Sequence, residues 1–263
     1  MTPPSDAGAP IDPRIRQRRE QVRRGRTQRR LRWLAVTGAV VVLVVGGALL
    51  LHTPLFEAKV VSVTGEHPNT PTAAIEAAAG VLRHPPLISV DPGPAAARVE
   101  SLPFVASARV VRHWPDAVTI AVTERKPVAA MAGPAGAWAT LDGNGRTLAV
   151  TPGKPALPAL VVHAGTGTVA PAPVGRTTAP AAGPGLLVAR TLPTAFSGQV
   201  TTITVAADGT VSLALNSGLT VLLGTVSELT SKYEDVAAII AHAPLRGAHS
   251  IDVTVPQSPT VGP

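Results

Sequence analysis

Residues 102–129 read LPFVASARVVRHWPDAVTIAVTERKPVA. In the first half Val105, Ser107, Arg109 and Val111 alternate with Ala106, Ala108, Val110 and Arg112. In the second, Val118, Ile120 and Val122 alternate with Thr119, Ala121 and Thr123. A period of two is the mark of a half-buried strand. Trp114-Pro115 stops the first run, because proline has no N–H to give to a ladder. The gap over 113–117 is short enough to make the pair a hairpin.

Reading upstream from this hairpin, Val60, Val61 and Val63 predict a strand over 58–63, closed by Thr64-Gly65. Thr70 as N-cap and Pro71 at the first helical position start a helix over 72–79, with Gly80 as its stop. Pro85-Pro86 excludes helix, and a second short helix is expected over 94–101. The order strand, helix, helix, strand, strand makes one small unit over 55–126.

Before it lies the most polarised segment of the chain. Ten arginines fall between Arg14 and Arg32, and residues 33–51 carry no charge. Nineteen helical residues span about 28 Å, close to the roughly 30 Å hydrocarbon core of a bilayer. Arginine clusters stay cytoplasmic. Residues 1–32 are therefore expected to be a largely disordered basic arm and 33–51 an uncleaved signal-anchor helix. Everything after it would lie outside the cytoplasm. Arg23, Arg24, Arg26, Arg29, Arg30 and Arg32 are the candidates for anionic headgroups. With Asp6, Asp12 and Glu20 subtracted, this arm carries the whole net charge of +7. The rest of the chain is electrically balanced. No aromatics interleave the arginines, so nucleic acid is not expected as a partner.

Downstream, Asp142-Gly143-Asn144-Gly145 predicts a hairpin turn between strands over 137–141 and 147–150. A loop rich in Gly, Pro, Thr and Ala covers 164–184, and helical spacing returns over 186–196. Strands over 200–205, 210–215 and 219–223 turn at Asp208-Gly209 and Ser217-Gly218. Thr225 and Glu228 have capping-box spacing. The helix after them carries one apolar stripe through Leu229, Tyr233, Val236, Ala237 and Ile240. Glu228 and Lys232 form an i,i+4 pair on another face. Ile251, Val253 and Val255 alternate with Asp252 and Thr254 in a last strand that Pro256 ends. The fold class is α+β: one transmembrane helix, the β-α-α-β-β unit, then a β-rich domain over 127–256 with a packed helix. Residues 257–263 read as a disordered tail.

Little of this asks for catalysis. The chain has no cysteine, and its seven histidines show no i,i+3 or i,i+4 pair, so neither a metal site nor a cofactor is expected. Residues 165–170 fit a dinucleotide fingerprint in form, but Pro171 and Pro173 replace the helix it requires. No nucleophile elbow, Walker loop or acylation motif is present. The sharpest feature is the last strand. At the end of a run of strands it is a candidate edge, and an edge offers backbone groups to another chain. A proline at Val253 is expected to remove one ladder donor and weaken pairing with a partner.

These residues resemble a family. Residues 60–65, VVSVTG, resemble the first strand of the POTRA domain of FtsQ (also called DivIB), a bitopic bacterial division protein. Residues 102–115 resemble its "LP-x-V-x-x-A-x-V-x-R-x-WP" run, and 118–129 its "I-x-V-x-E-R-x-P-x-A" strand. Leu223-Gly224, Lys232 and residues 251–256, IDVTVP, resemble its late signatures. The composition, rich in Ala, Gly and Pro and poor in Lys, suits an actinobacterial source. The resemblance implies a POTRA-type domain followed by a β domain. It implies a non-enzymatic scaffold that recruits and regulates septal peptidoglycan synthesis, single-pass, with its N-terminus cytoplasmic, enriched at the septum. FtsB and FtsL are the implied partners, FtsB adding a strand at Ile251, Asp252, Val253, Thr254 and Val255, with Lys232 on the neighbouring helix. The septal transpeptidase complex would follow them. The competing expectation is a membrane-anchored envelope enzyme acting on peptidoglycan.

Overall fold

The computed structural model describes residues 13–50, 53, 56–242, 247–256 and 258–263, apart from the side chains of 13–29 and 195. It opens on one long helix, α1 (Pro13–Leu50). The arm from 14 to 32, expected to be largely disordered, is helical here and runs unbroken into the apolar segment. Apart from Gly25 it is dominated by Arg, Gln, Glu and aliphatic residues, and most of these lose little side-chain freedom in a helix. The stretch Arg30–Leu50 is long and apolar enough to cross a membrane, and none of it is buried against the rest of the chain. The disorder expected of 1–12 falls outside the described residues.

Two separate apolar cores follow. The first is built by β1 (Val60–Thr64), α2 (Thr72–Ala79), α3 (Pro92–Glu100), β2 (Val105–His113) and β3 (Ala117–Glu124). β3 is central, parallel to β1 and antiparallel to β2. Val118, Ile120 and Val122 bury one face of β3 with Val110 and the helix residues Ile75, Ala79, Ala95 and Val99. Gly80 closes α2 in the left-handed region, but its cap position is Pro71 with no side-chain cap bond. Thr70 was expected there. α3 starts at Pro92, two residues before the expected position, because the Asp91 carboxylate accepts the Gly93 N–H at 3.3 Å.

The second core lies under a large sheet. Its strands are β4 (Pro127–Ala132), β5 (Trp138–Asp142), β6 (Thr147–Thr151), β7 (Ala159–Ala164), β8 (Gly167–Thr168), β9 (Val200–Val205), β10 (Val211–Leu215), β11 (Thr220–Gly224), β12 (Ser250–Asp252) and β13 (Thr260–Gly262). Three helices, α4 (Gly183–Thr191), α5 (Thr194–Ser197) and α6 (Leu229–His242), complete it. The spatial order is β13-β12-β11-β10-β9-β7-β4-β5-β6, with β8 folded back on β7. β7 runs parallel to both β4 and β9, which joins two antiparallel meanders into one sheet. The loop expected over 164–184 thus begins with the small β7–β8 hairpin, and residues 165–170 lie in it. α4 sits directly on the sheet because Gly185 leaves no room for a side chain against Leu160 and Val205.

Candidate partner-binding edge

β12 pairs in parallel with β11, setting Val221 beside Ile251 and Leu222 beside Asp252. Ile251 and Val253 are fully buried in the core that also holds Tyr233 and Val236 of α6. They anchor the strand and cannot touch a partner with their side chains. The Val253 N–H donates to the Leu222 carbonyl at 3.0 Å. A proline there would remove a ladder donor as expected, but the ladder is the protein's own, to β11, rather than one offered to a partner. Asp252 is half-buried, and its carboxylate accepts the Thr254 N–H at 2.9 Å, ending the strand in a tight turn. Thr254 packs against Gly224, whose φ of 65° and missing Cβ both serve this approach. Val255 is 63% exposed.

Lys232 was expected at the partner surface. It is instead 0% exposed. Its Nζ donates to the Leu223 carbonyl at 2.8 Å and the Thr225 carbonyl at 2.7 Å. Burial pushes the pKa of this amine down, partly opposed by the nearby Glu228 carboxylate. The reason for the misreading is geometric. Lys232 is one turn inside α6, and its stem reaches back to the connection between β11 and the helix. It ties α6 to the last residues of β11 and so positions the edge from within. The capping box is not formed either: the Thr225 hydroxyl pairs with the Ser227 hydroxyl, and Glu228 sits at φ 52°.

The largest departure lies beyond Pro256. The tail expected to be disordered returns as β13, antiparallel to β12, with Ser250 opposite Gly262, Ile251 opposite Val261 and Asp252 opposite Thr260. β12 is therefore not the sheet's edge in this structure; β13 covers it. The cover is thin. It is three residues long, Val261 is 42% exposed, and Gly262 fits because any side chain would meet the Ser250 hydroxyl. Leu222 on β11 and Val255, three residues past β12, are also exposed. The sequence signal for β13 is a single valine between prolines, too short to show a period.

The opposite end of the first unit is held to the second by Arg125. Its Nε donates to the Val105 carbonyl at 3.0 Å, and its Nη1 pairs with Asp142 Oδ2 at 2.9 Å. Asp142 also accepts the N–H groups of Asn144 and Arg146, so one buried carboxylate shapes the β5–β6 turn and receives the junction arginine. Sequence reading saw Asp142 only as a turn residue. An open cleft of about 370 Å³ beside it is lined by Gly65, Asn69, Glu124 and Arg125 among others. Burial there would raise the Glu124 pKa, but the net shift is downward, with the two N–H donors of Asn69 on its carboxylate. Among the described residues no cluster of metal-binding side chains forms. Of the arginines expected at the membrane surface, Arg23, Arg24, Arg26 and Arg29 lie on α1 with side chains outside the described set. Arg30 and Arg32 are exposed at the start of the apolar stretch.

Comparison with known proteins bears on this architecture. The family model "POTRA domain, FtsQ-type" matches residues 56–125, and "Cell division protein FtsQ/DivIB, C-terminal" matches 129–254. Cell division protein FtsQ of Mycobacteroides abscessus is 33% identical over 241 residues, which is 90% of this chain and 72% of that protein. FtsQ of Streptomyces collinus is 33% identical over 238 residues, 88% of each. The solved extracytoplasmic domain of DivIB from Geobacillus stearothermophilus aligns at 21% identity with a TM-score of 0.31, covering 46% of this chain and 98% of that one.

Proposed function

The chain belongs to the FtsQ/DivIB family of cell division proteins, and from that premise we propose that it is a non-enzymatic, membrane-anchored scaffold of the division machinery. Its C-terminal sheet edge takes an extended segment of FtsB, from the FtsB–FtsL pair, and through them reaches the septal transpeptidase complex. The arginine arm lies in the cytoplasm against anionic lipid, and the two folded units stand outside the membrane.

The observation that carries this reading is the thin cover on β12. A three-residue strand with one half-exposed valine satisfies the backbone of Ser250–Asp252 but buries little apolar surface. An incoming strand of five or six residues would make the same backbone bonds along Ser250–Asp252 and extend past them toward the exposed Val255. β13 is then a placeholder that an FtsB segment displaces. The balanced charge of everything beyond the arm favours recognition by backbone pairing and shape over charge steering.

The test is co-purification of the FtsB–FtsL pair with three forms of the full-length, membrane-extracted protein. A chain ending at 256 keeps β12 and loses its internal competitor, which acts at an effective concentration in the millimolar range. It should bind FtsB more tightly, by roughly ten-fold. A chain ending at 246 loses β12 as well and should bind none. Undiminished capture by that shorter chain would remove the edge from the account.

A further inference from the structure

The first unit has two ends, and its exposed apolar residues are found at only one of them. Chain tracing defines the ends. β1 leaves the membrane side and α2 returns to it; α3 climbs again, β2 descends to the turn at 113–117, and β3 climbs to the junction with β4. The descending and returning segments meet around residue 58. Ala58 N–H bonds to the Pro85 carbonyl, His84 Nδ1 lies 2.7 Å from the Ala58 carbonyl, and Val60 N–H bonds to the Asp116 carbonyl. Between residues 56 and 126 the exposed large apolar side chains are Val60, Leu82, Ile88, Val111 and Trp114. Every one lies at or next to this end. Trp114 is 51% exposed at the hairpin tip and contacts Phe56 edge-on, with ring centroids 6.0 Å apart.

This end is also tethered close to the bilayer. Only five residues, six Cα–Cα steps, separate Leu50, the last residue of α1, from Phe56. Fully extended they reach about 21 Å. Thr53 bonds back to Leu50, and Phe56 N–H bonds to the Thr53 carbonyl, so the end-to-end distance is shorter than this limit. The Phe56–Trp114 pair is thus held within the depth of the headgroup region or just above it. Tryptophan, with an apolar body and one N–H, is the residue that settles there. Lys59 and Arg83, both exposed beside the patch, suit lipid phosphates.

We propose that this end of the POTRA-type unit is a foot that rests in the lipid–water interface of the membrane carrying α1. Trp114, Leu82, Ile88 and Val60 enter the interface, and the foot fixes the height and tilt of the unit over the membrane. The C-terminal edge is thereby presented at a set distance from the bilayer. The inference rests on α1 crossing that bilayer, and the test separates the two.

The full-length protein is reconstituted into vesicles of phosphatidylethanolamine and phosphatidylglycerol with brominated acyl chains. Its three tryptophans are Trp33, Trp114 and Trp138. With Trp33→Phe and Trp138→Phe, Trp114 alone should emit at blue-shifted wavelength and lose about half its intensity to the brominated lipid. A second variant retaining only Trp33 reports on the anchor. Quenching of Trp33 with water-like, unquenched Trp114 overturns the foot and leaves the anchor standing. Loss of both signals overturns the anchor. Because the chain has no cysteine, a nitroxide on Leu82→Cys gives an independent measure. It should be more accessible to oxygen than to a polar nickel reagent. Protection of these positions only after adding other envelope proteins would mark the end as a protein interface and refute the proposal.

Discussion

Lys232 shows how one side chain can serve a surface it never touches. A buried ammonium is costly unless its protons are matched. Here two carbonyls at the end of β11 accept two of the three. Lys232→Met keeps the length and removes both donors, leaving the Leu223 and Thr225 carbonyls unpaired. The expected cost is about 2 kcal/mol, seen as a lower Tm of the folded units, together with weaker FtsB capture. Lys232→Arg should not restore stability, since the bulkier guanidinium has no room in a fully buried site. An unchanged Tm for the methionine variant would contradict the role given to this lysine.

Among the elements, the junction between the two sheets centres on one carboxylate with three donors, and Arg146 Nη2 also donates across it to the Ser101 carbonyl at 3.3 Å. Asp142→Ala removes the Arg125 pair and frees the Asn144 and Arg146 amides of the β5–β6 turn. Arg125 is itself partly exposed, so the loss is at the lower end for a broken buried pair, about 3 kcal/mol. Two resolved unfolding transitions should replace one coupled transition in calorimetry. A single transition at unchanged temperature would show that the pair does not couple the units. Which elements could be read in advance follows from the same physics. β2, β3, β5, β6 and β9 to β11 carry a clear period or turn residues, and each appears close to its expected place. β4 was not separated from the segment leading into it, because Pro127 and three small or flexible apolar residues give no alternation. β13 has no local signal at all, and only its fit to Ser250–Asp252 makes it a strand. The direction of Lys232 and the exposure of Trp114 were equally invisible, since both depend on what a distant segment covers.

Taken as a whole, the molecule is polarised along its chain. The charge is concentrated in the arm, the proposed foot lies where the first unit meets the span, and β12 with its β13 cover lies at the far end of the second sheet. The claim that gives the arrangement its purpose is that β12 exchanges its own tail for a partner strand. Amide hydrogen exchange on the full-length protein, with and without the FtsB–FtsL pair, tests it most directly. The account predicts slower exchange over 250–255 on adding the pair, and faster exchange over 260–262 as the tail is released. Protection confined to the first sheet, with 250–262 unchanged, would contradict it.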